Sequence, residues 1–214
     1  MEPAGRLCAI VDVEVAERAA WSPIDLATAY LNGGARFLQL RAKSLSGSAF
    51  LDLAFGLQHV ASEASAILIV NDRADIARIS GARGVHVGQE DLSPLAVRTI
   101  VGTEAMVGLS THTEAQIDAA LQQPIDYIAI GPVFGTSTKS TGYAAVGIER
   151  VRVVAAHASR CQSRPLPVVA IGGITLDSAS GVIAAGATAV AVIADLLATG
   201  DPEARTRAYL ARLG

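Results

Sequence analysis

Short uninterrupted apolar runs recur along the chain, and between them lie longer segments whose apolar residues return at helical spacing. Leu7 to Val11 is the first run, ending in Asp12, and Ile24 to Leu31 then repeats apolar residues at helical spacing until Asn32-Gly33-Gly34 stops it. Further strands are expected at Arg36 to Leu40, Ala66 to Val70, Gly84 to Val87, Met106 to Leu109, Tyr127 to Gly131, Pro167 to Ile171 and Ala187 to Ile193. The intervening helices are expected over Gly47 to Glu63, Ala74 to Ser80, a segment with Pro94 in its first turn, Glu114 to Leu121, Gly147 to Ala158, Leu176 to Ala185 and Pro202 to Leu213. A run as short and unbroken as Tyr127 to Gly131, closed by Gly-Pro, suits a strand covered on both faces, as in a parallel sheet. Eight strand-then-helix units without a linker predict one domain over residues 1–214, a closed parallel (β/α)8 TIM barrel. An open doubly wound sheet is the alternative, but no GxGxxG fingerprint follows the first strand.

A barrel gathers its chemistry at the strand C-termini, and there this chain turns polar. Gln39, Arg41 and Lys43 alternate after the second strand, which suggests side chains on one face of an extended segment. Arginine and lysine neutralise phosphate oxygens, and a glutamine amide orients a ring. Asn71-Asp72 and Asp91 end the third and fourth strand units, so two carboxylates face each other across the pocket and can share a hard cation, magnesium by preference. Each aspartate alone reads better as a helix cap, and the nearby cations shift that balance. The loop Gly135-Thr136-Ser137-Thr138-Lys139 brings hydroxyls, backbone N–H groups and an ammonium toward an anion. Gly172-Gly173 and the end of the eighth strand at Ile193-Ala194 fall where barrels usually bind phosphate. Ser110 is a hydrogen-bond donor to a substrate rather than a nucleophile, since no elbow or triad spacing surrounds it. His86 is expected to be a structural, hydrogen-bonded histidine.

Composition narrows the partners. A net charge of −3 with no basic run excludes an electrostatic footprint for nucleic acid or an anionic membrane, so the basic residues that bind an anion must be few and local. With 51% hydrophobic but only 4% aromatic residues, the core is aliphatic. Cys8 and Cys161 have no metal-ligand spacing and are read as reduced packing residues. Gly181 to Gly200 is apolar enough to imitate a membrane span, but Gly186 divides it into a helix end and a β-rich run. With no secretory pattern at the N-terminus, a cytoplasmic location is the expectation. The sequence is compatible with a homo-oligomer.

Gln39-Leu40-Arg41-Ala42-Lys43, Asn71-Asp72-Arg73, Gly84 to Leu92, Gly108 to His112, Asp126 to Lys139 and Ile171 to Ile174, taken in order over nearly the whole chain, resemble thiamine phosphate synthase. The resemblance implies a (β/α)8 transferase that joins hydroxymethylpyrimidine diphosphate to a phosphorylated thiazole, with magnesium, releasing diphosphate. It assigns Arg41, Lys43, Asn71 and Lys139 to the diphosphate, and Asp72 and Asp91 to Mg2+. Gln39 and Ser110 would face the pyrimidine and its departing group, with Arg41, Ser110 and Lys139 the catalytic residues. Thr136, Thr138, Gly173, Ile193 and Ala194 would hold the thiazole phosphate. The chain departs from the family pattern at Ala194, where serine is usual, at Asp195, which adds a negative charge, and at Gly135, where proline is usual. A related thiazole tautomerase shares the barrel and a histidine near His112 but lacks the paired aspartates and the basic residues, and a non-catalytic phosphate-binding barrel is the alternative from another class.

Overall fold

A computed structural model describes residues 4–136, 142–160 and 165–214. Eight parallel strands close into a barrel in the order β1 to β8, each hydrogen-bonded to its sequence neighbour and β8 to β1. They are β1 (Leu7–Asp12), β2 (Phe37–Arg41), β3 (Ile67–Asn71), β4 (Gly84–Val87), β5 (Met106–Thr111), β6 (Tyr127–Ile130), β7 (Val168–Ile171) and β8 (Ala189–Val192). Around them lie α1 (Val13–Arg18), α2 (Pro23–Asn32), α3 (Gly47–Glu63), α4 (Ala74–Ser80), α5 (Pro94–Val101), α6 (Glu114–Ala120), α7 (Gly147–Ala158), α8 (Leu176–Ala184) and α9 (Pro202–Leu213). Among the described residues no helix is long and apolar enough to cross a membrane, and Gly181 to Gly200 divides between α8, β8 and a 3-10 turn at Ala194–Leu197.

The pleat separates two apolar layers. One face of each strand packs outward against the helices, with Leu38, Val70, Val107, Ile128 and Val190 fully or almost fully buried there. The other face fills the barrel, where Cys8, Ile10, Phe37, Ile69, Met106, Tyr127 and Val169 form a separate interior cluster. Both faces are buried, which is why the strands read as continuous apolar runs rather than alternating ones. The inward rows stay apolar only in the lower barrel. One pleat step higher they become Gln39, Asn71, His86 and Ser110, three of them at most 7% exposed.

The expected elements are present with small shifts. Helix α1 has no counterpart in the sequence reading: its six residues are too few to show a period, and it forms because the Asp12 side chain accepts from the Val15 N–H while Val13, Val15 and Ala16 bury against the barrel. Strands β2 and β5 run further than expected, so Arg41, Ser110 and Thr111 are strand residues rather than loop residues. Strand β8 is shorter, giving way after Val192 to the 3-10 turn. Cys8 is a free, buried thiol, as expected; Cys161 lies outside the described residues.

Candidate active site

A cavity of about 410 Å3 opens at the C-terminal end of the barrel, and a second of about 220 Å3 adjoins it. Asn71, His86, Ser110 and His112 line both, so the two are halves of one site. The larger half is walled by Gln39, Arg41, Thr136, Gly173 and Ile193, and the smaller by Lys43, Asp72 and Asp91. The pocket predicted from strand ends is therefore real as a concavity.

Register explains how the polar row is assembled. Asn71 pairs with His86, His86 with Gly108, and Gly108 with Tyr127 across β3 to β6. A Cβ at position 108 would lie 2.1 Å from Tyr127 Cζ, so only glycine lets the Tyr127 ring cross β5 to reach His86. The Tyr127 hydroxyl then meets His86 Nδ1 at 2.9 Å, and His86 Nε2 meets Ser110 Oγ at 2.8 Å, with the two rings stacked. Gln39 lies on the same inward row, and burial pushes the tyrosine pKa well up, so it stays a neutral phenol. The pattern that uses each group once runs from the Tyr127 O–H to Nδ1 and from Nε2–H to Ser110. It leaves the serine O–H to donate into the cavity.

The charged residues form a chain around β1 to β4. Asp12 is 2% exposed and accepts from Arg41 Nη1 at 2.5 Å, while the Glu14 carboxylate accepts the backbone N–H groups of Lys43 and Ser44 at 3.1 and 3.0 Å. Hydrogen bonding to Ser44 holds Glu14 below its ordinary pKa against the opposing effect of burial. Lys43 Nζ lies 2.5 Å from Asp72 Oδ2. Asp91 is close enough to Asp72 to share a hydrogen bond with it when one carboxyl is protonated. Burial and then the neighbouring Asp91 push the Asp72 pKa up, and Lys43 pulls it down.

Neither aspartate caps a helix. Arg73 occupies the N-cap of α4 without a side-chain bond, and Ser93 caps α5. Asp91 instead accepts from the Gly88 N–H at 2.7 Å, within its own loop. Asp72 sits at φ +66, a left-handed conformation that costs a non-glycine residue energy and turns its carboxylate toward the smaller cavity. Among the described residues no group of three metal-ligating side chains assembles. Two adjacent carboxylates, with an amide at Asn71 and open space beside them, fit magnesium, which takes few protein oxygens and completes its shell with water and substrate phosphates.

On the opposite wall, the β6–α7 and β7–α8 loops lock together. Phe134 N–H donates to Gly172 O at 2.9 Å and Val133 N–H to Ile171 O at 2.9 Å. A Cβ on Gly173, at φ +63, would lie 2.5 Å from Gly135 O, so the close approach of the two loops requires glycine. Thr136, Gly173, Ile193 and Ala194 all reach the larger cavity; Thr138 and Lys139 lie outside the described residues.

Gln39, Arg41, Thr136, Gly173, Ile193 and Ala194 thus line one half, Lys43, Asp72 and Asp91 the other, and Asn71 and Ser110 both. The expectation that Gln39, Arg41 and Lys43 share an extended face is corrected: β2 ends at Arg41, the chain turns, and Lys43 enters the neighbouring half. The sequence reading passed over Asp12, which pairs with Arg41, and Tyr127, whose apolar run disguised its hydroxyl. His86 is hydrogen-bonded as expected, yet it also lines both halves.

Fold and cavities together define a (β/α)8 barrel with its concave site at the strand C-termini. The sequence profile described as thiamine monophosphate synthase matches residues 7–196. The thiamine-phosphate synthase of Koribacter versatilis is 42% identical over 207 residues, covering 96% of this chain and 94% of that one. The thiamine-phosphate synthase of Chlorobium phaeobacteroides is 40% identical over 202 residues, covering 94% and 93%. The solved thiamine phosphate pyrophosphorylase from Pyrococcus furiosus superposes with a TM-score of 0.85 at 26% identity, covering 97% of this chain and 95% of that one. The chain belongs to the thiamine monophosphate synthase family, and it is an enzyme.

Proposed function

We propose that the enzyme joins hydroxymethylpyrimidine diphosphate to a thiazole phosphate, giving thiamine phosphate and diphosphate. The observation that carries the reading is the Lys43–Asp72 ion pair with Asp91 beside it, in a half-site that opens onto the larger cavity through Asn71, His86 and Ser110. A diphosphate in the smaller half leaves the pyrimidine near Gln39 and Ser110. The thiazole then lies in the larger half, its phosphate between Gly173 and Ile193-Ala194, with Thr136 alongside.

The coupling is read as dissociative: the bond from the pyrimidine methylene to diphosphate breaks first, and the thiazole nitrogen attacks the resulting cation. Such a path asks for charge stabilisation on the leaving group rather than for a protein nucleophile. Lys43 and Arg41 supply fixed positive charge, Asn71 and Ser110 supply donors, and Lys139 is proposed to complete the set. Magnesium held by Asp72 and Asp91 would supply Lewis acidity toward the phosphate oxygens. The apolar walls from Ile10, Val169 and Ile171 keep water from the cation before the thiazole reaches it.

The purified chain, supplied with the two substrates and magnesium, should form thiamine phosphate and diphosphate in equal amounts. If it only isomerises the thiazole, the tautomerase reading replaces this one. If it binds phosphates without turnover, the barrel is regulatory.

A further inference from the structure

The turn after β8 carries a carboxylate that ought to repel a phosphate. Asp195 lies in the wall of the larger cavity, one residue from Ala194. Its charge is already matched. Asp195 Oδ2 accepts from Arg205 Nη2 at 2.8 Å, from the Tyr209 hydroxyl at 2.5 Å and from the Leu176 N–H at 3.1 Å. Arg205 Nε also donates to the Asp195 carbonyl at 3.2 Å, and its guanidinium lies 5.8 Å from the centre of the Tyr209 ring. Burial, followed by the bond to Asp195, pushes the Tyr209 pKa well up, so the hydroxyl remains a donor.

These partners come from separate parts of the chain. Leu176 begins α8, directly after the loop that holds Gly172-Gly173, whereas Arg205 and Tyr209 belong to α9. One carboxylate therefore bridges the β7–α8 loop and the β8 turn, and α9 grips it from behind. We infer that Asp195 is a positioning residue that sets the distance between Gly173 on one loop and Ile193-Ala194 on the other. This inference rests on the proposed seat of the thiazole phosphate between those loops. The chain lacks a hydroxyl at Ala194, so between Gly173 and Ile193-Ala194 the phosphate is met by backbone donors, with Thr136 the nearby hydroxyl, and the aim of those backbone donors is set by how the loops are held. Side-chain donors can swing to meet an anion; backbone donors cannot.

Steady-state kinetics of Asp195→Ala and Asp195→Asn test this. Asp195→Ala should raise KM for the thiazole phosphate about tenfold, the scale of a lost charge-assisted hydrogen bond. KM for the pyrimidine diphosphate and for the dephosphorylated thiazole should stay within about twofold. Asp195→Asn keeps an acceptor for Leu176 and Tyr209 and should recover part of the loss. An unchanged thiazole phosphate KM in Asp195→Ala, or an equal loss on all three substrates, overturns the inference. If Asp195→Ala does not fold, Tyr209→Phe serves: it removes one of the three groups that hold the carboxylate and should raise the thiazole phosphate KM selectively by about twofold to threefold, less than loss of the carboxylate itself, and no change overturns the inference. Failure of the underlying reading is separate, because the wild-type enzyme would then take phosphorylated and dephosphorylated thiazole with equal KM.

Discussion

At the N-terminal end of the barrel, Arg98 donates to the carbonyls of Pro124 and Ala105 and pairs with Asp126, whose carboxylate also accepts the Val107 N–H at 2.8 Å. Arg36 and Arg6 are likewise bonded to nearby backbone carbonyls, of Leu31, Ala35 and Leu213. At the C-terminal end, burial and then the neighbouring Asp91 raise the Asp72 pKa, and Lys43 is half exposed over the cavity. The lower end spends its charges on closing the fold. In the smaller half of the site the upper end crowds Asp72 and Asp91 together, at a cost in stability, and leaves them facing space where a ligand fits. Stability and chemistry are thus segregated along one axis of the molecule.

The largest effect expected from this division is on turnover at the upper end. Asp72→Ala and Asp91→Ala should each lower kcat by about a thousandfold, on the scale of removing a preorganised contact to developing charge. Thermal unfolding of the magnesium-free variants should move little or upward, because each deletion relieves like-charge crowding. Chelation of wild type should abolish coupling, and added magnesium should restore it. Retained activity with a lowered melting temperature would make both aspartates structural.

The complementary experiment breaks the lower end. Asp126→Ala strands Arg98 and the Val107 N–H; with side chains 10% and 16% exposed, the pair is nearly but not wholly enclosed, so the loss should be about 3 kcal/mol. Urea unfolding reads that loss, while kcat measured well below the melting temperature should remain near wild type. A kcat that falls in parallel would mean that the two ends are mechanically coupled.

How far the sequence revealed this division depends on what each end is made of. The eight strands and most helices were legible because doubly buried strands must be continuous apolar runs, and because Gly, Asn and Pro punctuate them. The candidate site was legible where a charge cannot be explained by packing, as at Lys43, Asp72 and Asp91. It was not legible where the polar row draws on an apolar-looking position. Tyr127 reads as one more buried strand residue, and only the register that sets it across Gly108 exposes its hydroxyl to His86. Asp12 looked like the end of a strand, and its pairing with Arg41 is a contact between β1 and β2 that no local pattern encodes. Asp195 looked like a liability because Arg205 and Tyr209, the residues that neutralise and hold it, lie on the last helix.

A smaller effect tests the polar row beneath the two halves of the site. Tyr127→Phe keeps the ring over Gly108 and removes the hydroxyl that bonds His86. The loss of one neutral hydrogen bond, about 0.5–1.5 kcal/mol, should lower kcat/KM for the pyrimidine diphosphate by roughly twofold to tenfold. KM for the thiazole phosphate should not change. If both substrates are affected equally, the row supports the barrel and does not orient Ser110.

The smallest effect is a pH dependence of stability that belongs to the upper end alone. Burial and Asp91 raise the pKa of Asp72 in the folded state, so between its ordinary value and the raised one the folded chain holds more protons than the unfolded chain. Stability must then fall as pH rises through that window and stay level above it, the reverse of a carboxylate that is favourably paired. Wild type without magnesium should show this decline relative to Asp72→Asn when urea midpoints are compared across the acidic range. Saturating magnesium favours the ionised carboxylate and should cancel or invert the decline, a readout that does not depend on turnover. If wild type and Asp72→Asn run parallel in chelator, the crowding at Asp72 is absent in solution. If magnesium leaves the wild-type decline unchanged, the two carboxylates do not share the ion, and the contrast between the ends loses its metal site.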